Sequence, residues 1–169
     1  MKRILNALIL ASAFMVSAAE IETLYPSSAN WRIDGSVEDN KTVELVNTSP
    51  SATSSMSLWV KVQTGQKLTF RATIRGKDIA AKQKPYQGVR FSLWGMVNGK
   101  STEFGQNHHL KGNFGWTELT NTVEVPVDFD GWLKIGLREV TGTLYVKNIT
   151  LETDGGEKKI FYVQKKETK

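Results

Sequence analysis

The side-chain pattern of this chain repeats every two residues and never sustains a period of 3.6. Segments 43–45, 56–62, 68–75, 89–97, 116–125, 133–140 and 144–151 either alternate apolar with polar residues or form short β-branched runs. Turn-forming residues separate them: Asp34-Gly35, Thr64-Gly65-Gln66, Asn98-Gly99, Asp130-Gly131 and Thr141-Gly142. Asn98-Gly99 between two such runs predicts a two-residue hairpin with a type I′ turn, because both residues tolerate positive φ. A chain so punctuated is predicted to be all-β, an antiparallel β-sandwich or barrel.

Successive residues of a strand point to opposite faces, so the alternation also assigns sides. Leu68, Phe70, Ala72 and Ile74 form one core row and leave Arg71 and Arg75 outside. Val89, Phe91 and Leu93 oppose Arg90, Ser92 and Trp94; Leu133, Ile135 and Leu137 oppose Trp132, Lys134 and Arg138. Met56, Leu58, Val60 and Val62 oppose Trp59 and Lys61, and Leu144 and Val146 oppose Tyr145 and Lys147. The inner rows are uniformly apolar, whereas the outer rows mix aromatic rings with cations.

The N-terminus has the form of a secretory signal. Lys2-Arg3 precedes an apolar stretch at 4–16, and Ser17-Ala18-Ala19 places small residues at a cleavage site. The apolar run is short of the ~20 residues of a spanning helix, so residues 1–19 are expected to be a cleaved signal peptide and the protein secreted or periplasmic. The chain has no cysteine, which excludes a lipid-anchored cysteine, disulfides and thiolate metal sites and favours a bacterial source. Removing Lys2 and Arg3 lowers the formal charge from +5 to +3, and the lysine-rich tail 154–169 holds +2 of that. The body is near neutral, so the charge gives no argument for nucleic acid, and no transmembrane segment is expected.

Beyond the signal the chain fits one domain, 20–153, within the usual ~100–150 residues. Three stretches read as loops: the Ser/Thr-rich 47–55, then 76–88 with Lys77, Lys82 and Lys84, then 105–115 with His108-His109. Asp154-Gly155-Gly156 is placed to turn the chain into a terminal hairpin strand at 160–163, the alternative being a disordered tail.

Several stretches together resemble carbohydrate-binding modules of the galactose-binding-like jelly-roll group. They are Val62-Gln63-Thr64-Gly65-Gln66-Lys67-Leu68-Thr69-Phe70-Arg71-Ala72, Gly115-Trp116-Thr117, Val123-Glu124-Val125-Pro126, Ile135-Gly136-Leu137 and the run from Thr143 to Leu151. The resemblance implies a jelly-roll β-sandwich over most of 24–152 and an exported sugar-binding role. It also implies a structural calcium near the last strand. There Lys147-Asn148 replaces the usual aspartates, leaving the Asn148 amide oxygen as a candidate ligand that brings less charge.

Sugars offer an apolar C–H face to an aromatic ring and hydroxyls to polar side chains. Trp59, Trp94, Trp132 and Tyr145 are candidate platforms, or they pack under loops; Trp116, opening a strand after Gly115, reads as a structural plug. Arg71, Arg90 and Arg138 would line one face if their strands share a sheet, and planar guanidiniums suit the carboxylate or sulfate of an acidic polysaccharide. The competing reading pairs them with Glu118, Glu124 and Glu139. His108 and His109 are adjacent on an extended segment and point apart, so a ligand-contacting or solvent-facing loop is favoured over a metal site. The chain has no Gly-x-Ser-x-Gly elbow, no phosphate-cradling glycine loop and no His-Glu-x-x-His, and its carboxylates form no recognisable glycosidase pair. The expectation is a non-catalytic module that binds a polysaccharide by aromatic stacking and Arg/Lys hydrogen bonds. A small exported lyase or hydrolase using His108 or His109, and a protein-interaction or adhesion sandwich, remain alternatives.

Overall fold

A computed structural model describes residues 20–26, 31–39, 41–154 and 160–161. The expected signal peptide, 1–19, and most of the tail lie outside the described residues. The strands are β1 (Glu20–Leu24), β2 (Trp31–Ile33), β3 (Ser36–Glu38), β4 (Thr42–Asn47), β5 (Thr53–Val62), β6 (Lys67–Ile79), β7 (Gly88–Val97), β8 (Lys100–His108), β9 (Gly112–Glu124), β10 (Phe129–Arg138), β11 (Gly142–Asp154) and β12 (Ile160–Phe161). They form two antiparallel sheets. The β6 sheet runs β3-β4-β11-β6-β9 with β1 added to β11, and the β10 sheet runs β12-β5-β10-β7-β8 with β2 added to β5. No helix among the described residues is long and apolar enough to cross a membrane.

The inner faces are the rows the alternation predicts. Leu68, Phe70, Ala72, Ile74, Leu144 and Val146 from the β6 sheet are buried against Leu58, Phe91, Leu93, Leu133, Ile135 and Leu137 from the β10 sheet. Each of the larger side chains contributes roughly 1.5–3 kcal/mol by leaving water. Phe70 and Phe91 meet edge to face across the two layers, with centroids 5.0 Å apart. The β7–β8 hairpin turns at Asn98 (φ 52°) and Gly99 (φ 73°), as type I′ geometry requires.

Two expectations need correction, and two short strands are not among those expected. The stretch 105–115 is mostly strand: β8 runs to His108 and β9 starts at Gly112. The tail strand does not fold back as a hairpin on β11, because Ile160 and Phe161 pair with Lys61 and Val60 of β5 in the other sheet. Strands β2 and β3, three residues each, escape a period-based reading because three residues carry too little alternation to register.

One buried amide ties the open end of the β10 sheet together. Asn47 is 3% exposed, and its Nδ2 donates to the carbonyls of Ala52 at 2.9 Å and Val140 at 3.0 Å, with Leu137 O at 3.4 Å. The Ser54 hydroxyl, with one proton to donate, faces two acceptors, the Asn47 side-chain oxygen and Val46 O at 2.7 Å. These bonds fix the ends of β4, β5 and β10 against one another. Asn47→Ala leaves buried carbonyls without donors and is expected to lower stability by about 2–3 kcal/mol in urea unfolding. A loss below about 0.5 kcal/mol would show that water replaces the amide.

Candidate functional site

Strand register gathers the aromatic and basic outer residues of the β10 sheet into cross-strand rows. Trp59 lies directly opposite Trp132, and Trp132 directly opposite Trp94, so three tryptophans cross β5, β10 and β7 in one line. Trp59 and Trp132 meet edge-on with centroids 4.6 Å apart. Trp94 continues the row to Glu103 on β8. The next row is Ser57, Lys134 and Ser92, then Ser55, Gly136 and Arg90, then Thr53, Arg138 and Gly88.

Small residues flanking large cations leave a depression of about 230 Å³ beside the tryptophan row, lined by Thr53, Ser55, Arg90, Trp94, Lys134, Gly136, Leu137 and Arg138. Gly136 is required at its floor: a Cβ there would sit 2.2 Å from Ser54 O and 2.8 Å from Ser55 Cβ. Asp34, beside Arg32 at 3.9 Å, lies on the β5 side. Tyr86, from the 80–87 connection, stands on the β7 side.

The cations here have distinct roles. Arg90 is 8% exposed; its guanidinium donates to Tyr86 O and pairs with Glu103, while its Nε is buried without a partner. Burial, and then the Arg138 charge beside it, hold Arg90 below the usual guanidinium pKa. Arg138 is packed between two rings, 5.0 Å from Tyr86 and 5.3 Å from Trp94, and reaches Glu103 only at 4.0 Å. Lys134 lies 5.5 Å from the Trp94 ring. Burial, followed by Arg32 and Arg138, pulls its pKa below the ordinary lysine value. Trp94 is itself anchored, its indole N–H donating to Ser92 Oγ at 2.9 Å.

Of the sequence-predicted residues, Trp59, Trp94, Trp132, Arg90 and Arg138 therefore converge. Arg71 does not. It lies on β6, in the other sheet, and pairs with Glu152 at 2.7 Å. Tyr145 is also on the β6 sheet, on its outer face. Glu103 and Glu152, rather than Glu118, Glu124 or Glu139, take the Arg71, Arg90 and Arg138 ion pairs found among the described residues. Trp116 is no plug: it is 40% exposed, on the outer side of β9. His108 pairs with Val89 and shares its inward side, away from Arg90. Burial and the neighbouring His109 lower its pKa, and the two histidines line a second depression of about 190 Å³ with Lys82 and Lys111.

Asn148 sits at the β11 bulge with φ 50° and an exposed side chain. No group of His, Asp or Glu among the described residues is gathered to hold a metal ion. Calcium takes 6–8 oxygens, usually with carboxylates among them, and no such carboxylate group is gathered at Asn148 among the described residues.

Lys134, Tyr86 and Glu103 are site residues that sequence reasoning does not select. Alternation does place Lys134 outward beside Trp132. Tyr86 and Glu103 carry no local signal, because their proximity depends on the 80–87 connection and on β8 register.

Two antiparallel sheets packed on one apolar core make a β-sandwich, the fold this chain shares with solved carbohydrate-binding modules. A CBM4 structure matches with a TM-score of 0.53 at 16% identity, over 83% of this chain and 81% of that one. CBM29_1, a family 29 carbohydrate-binding module from Piromyces equi, matches with a TM-score of 0.50 at 16% identity, over 82% and 93%. No family model and no curated protein matches the sequence.

Proposed function

We propose that this chain is an exported, non-catalytic carbohydrate-binding module that holds an acidic polysaccharide across the outer face of β5, β10 and β7. The observation carrying the reading is the line Trp59–Trp132–Trp94 running onto Lys134 and Arg138. The rings offer stacking surface for sugar C–H faces. Arg138 lies 5.0 Å from the Tyr86 ring and 5.3 Å from the Trp94 ring with its donors weakly engaged, which leaves them available for bidentate capture of a carboxylate. Structural likeness to sugar-binding modules supports the same class. A β-eliminating lyase needs a base near the cation that neutralises the uronate, and no histidine among the described residues lines the groove, His108 lying on the side away from Arg90, which weighs against cleavage in the groove.

Affinity electrophoresis in gels containing polygalacturonate or a neutral β-glucan tests this. Retardation is expected in the acidic gel, with no rise in ultraviolet absorbance from unsaturated ends. Arg138→Ala should weaken acidic-glycan binding by about tenfold or more, the worth of a charge-assisted contact, and leave any neutral-glycan binding unchanged. Because Lys134 titrates below the usual lysine range, acidic-glycan binding should weaken as pH rises into the alkaline region, and Lys134→Met should flatten that dependence. A protein that ignores every glycan, or that releases unsaturated product, overturns the reading.

A further inference from the structure

The outer face of the β6 sheet repeats the arrangement of the groove. Glu44 of β4 lies opposite Tyr145 of β11, Tyr145 lies opposite Arg75 of β6, and Trp116 of β9 stands at the bulge beside Arg75. The Arg75 guanidinium lies 4.3 Å from the Tyr145 ring and 5.0 Å from the Trp116 ring, so it too is held between a tyrosine and a tryptophan. Lys147 lies 4.0 Å from the Trp116 ring. Among the described residues neither Arg75, Lys147 nor the nearby Lys77 has an ion-pair partner. By contrast Arg71, on the same outer face of β6, is occupied by Glu152.

A guanidinium held beside two rings, with no carboxylate partner among the described residues, is a preorganised receptor for one, to which it donates its N–H groups. Tyr145, Arg75 and Lys147 alternate with the buried Leu144, Val146 and Ile74, so they face away from the core. The groove faces away from the core on the other sheet. Packed sheets lie ~10 Å apart before side chains are added, so one short oligosaccharide does not reach both.

We propose that this face is a second binding surface for a carboxylate-bearing polysaccharide segment, which makes the domain bivalent. The choice of glycan class rests on the function proposed above. Two separated contacts let one molecule bridge two polymer chains, or gain avidity on one long chain, without any new contact.

The five tryptophans each give one indole N–H signal, so a titration resolves the two faces. With a galacturonate trisaccharide, both the Trp94 and the Trp116 signals are expected to shift to saturation. Arg138→Ala should weaken the Trp94 response by at least about tenfold and leave that of Trp116 unchanged; Arg75→Ala should do the reverse. Lys147→Glu, a surface change unlike a truncation within the clamp, should also weaken the Trp116 response and guards against misfolding of the Arg75 variant. The unaltered protein should turn polygalacturonate solutions turbid, and each single-face variant should not. If Trp94 responds and Trp116 does not, the second surface is wrong and the groove reading stands. If Trp116 responds alone, the groove reading fails and the bivalence proposed here fails with it, leaving this face as the single binding surface. An equal Trp116 response to a neutral trisaccharide, or silence of both signals, overturns this proposal.

Discussion

Replacing Trp94 with alanine is expected to weaken glycan binding about thirtyfold, with little loss of stability. Trp94 is where the two halves of the site meet. It ends the tryptophan row opposite Trp132 and also forms one wall of the basic depression. Its ring lies 5.3 Å from Arg138, 5.5 Å from Lys134 and 6.0 Å from Arg90. Truncation therefore removes a stacking surface and leaves the Arg138 guanidinium held by Tyr86 alone. A central aromatic of this kind costs ~2 kcal/mol or more when truncated, which is roughly a factor of 30 in affinity. Because Trp94 sits outside the core, its removal opens no cavity between the sheets, and the unfolding midpoint should shift little. Affinity electrophoresis and calorimetry, with urea unfolding alongside, measure both quantities. Unchanged affinity would remove the tryptophan row from the site. Lost affinity with a collapsed midpoint would instead make Trp94 structural.

How far the sequence reaches depends on the range of the interaction that decides each feature. Alternation is local, so it correctly puts Leu133, Ile135 and Leu137 in the core and turns Trp132, Lys134 and Arg138 outward. The Asn98-Gly99 turn is local too, needing only two residues that accept positive φ. Sheet membership is not local. Arg71 and Arg90 both look outward from apolar strands, yet they leave from opposite faces of the sandwich, because β6 pairs with β9 and β11 while β7 pairs with β8 and β10. Nothing within either strand encodes that choice; complementarity of whole rows across long connections decides it. Trp116 shows the same limit. A Gly-Trp opening a strand suggests a plug, whereas the register shifts between β6 and β9 near Gly76 carry Trp116 to the outer face, over Arg75. The tryptophan line sits between these cases. Each ring is legible as outward, but their alignment requires the registers of β5, β10 and β7 to agree.

Arg90 carries the second large effect, and it is an effect on stability first. Its outward position in the alternation makes it a candidate ligand contact. Its burial and its bonds to Tyr86 O and Glu103 instead make it a positioning residue: it ties the 80–87 connection to β7 and engages the carboxylate that would otherwise compete for Arg138. Arg90→Ala strips a largely buried carboxylate of its close partner and the Tyr86 carbonyl of its donor, at an expected cost of about 3 kcal/mol. Binding should fall as well, because Tyr86 forms one side of the Arg138 clamp. Arg90→Lys should recover little, since one ammonium on a flexible stem does not span both acceptors as a planar fork does. The double change Arg90→Met with Glu103→Leu separates the two roles. With both charges gone, no carboxylate is left stranded, so most of the stability should return. Affinity should return only in part, because the bond that holds Tyr86 is still missing. Full recovery of both would mean that the 80–87 connection holds its position without Arg90. Recovery of neither would show that the arginine fills space that methionine does not.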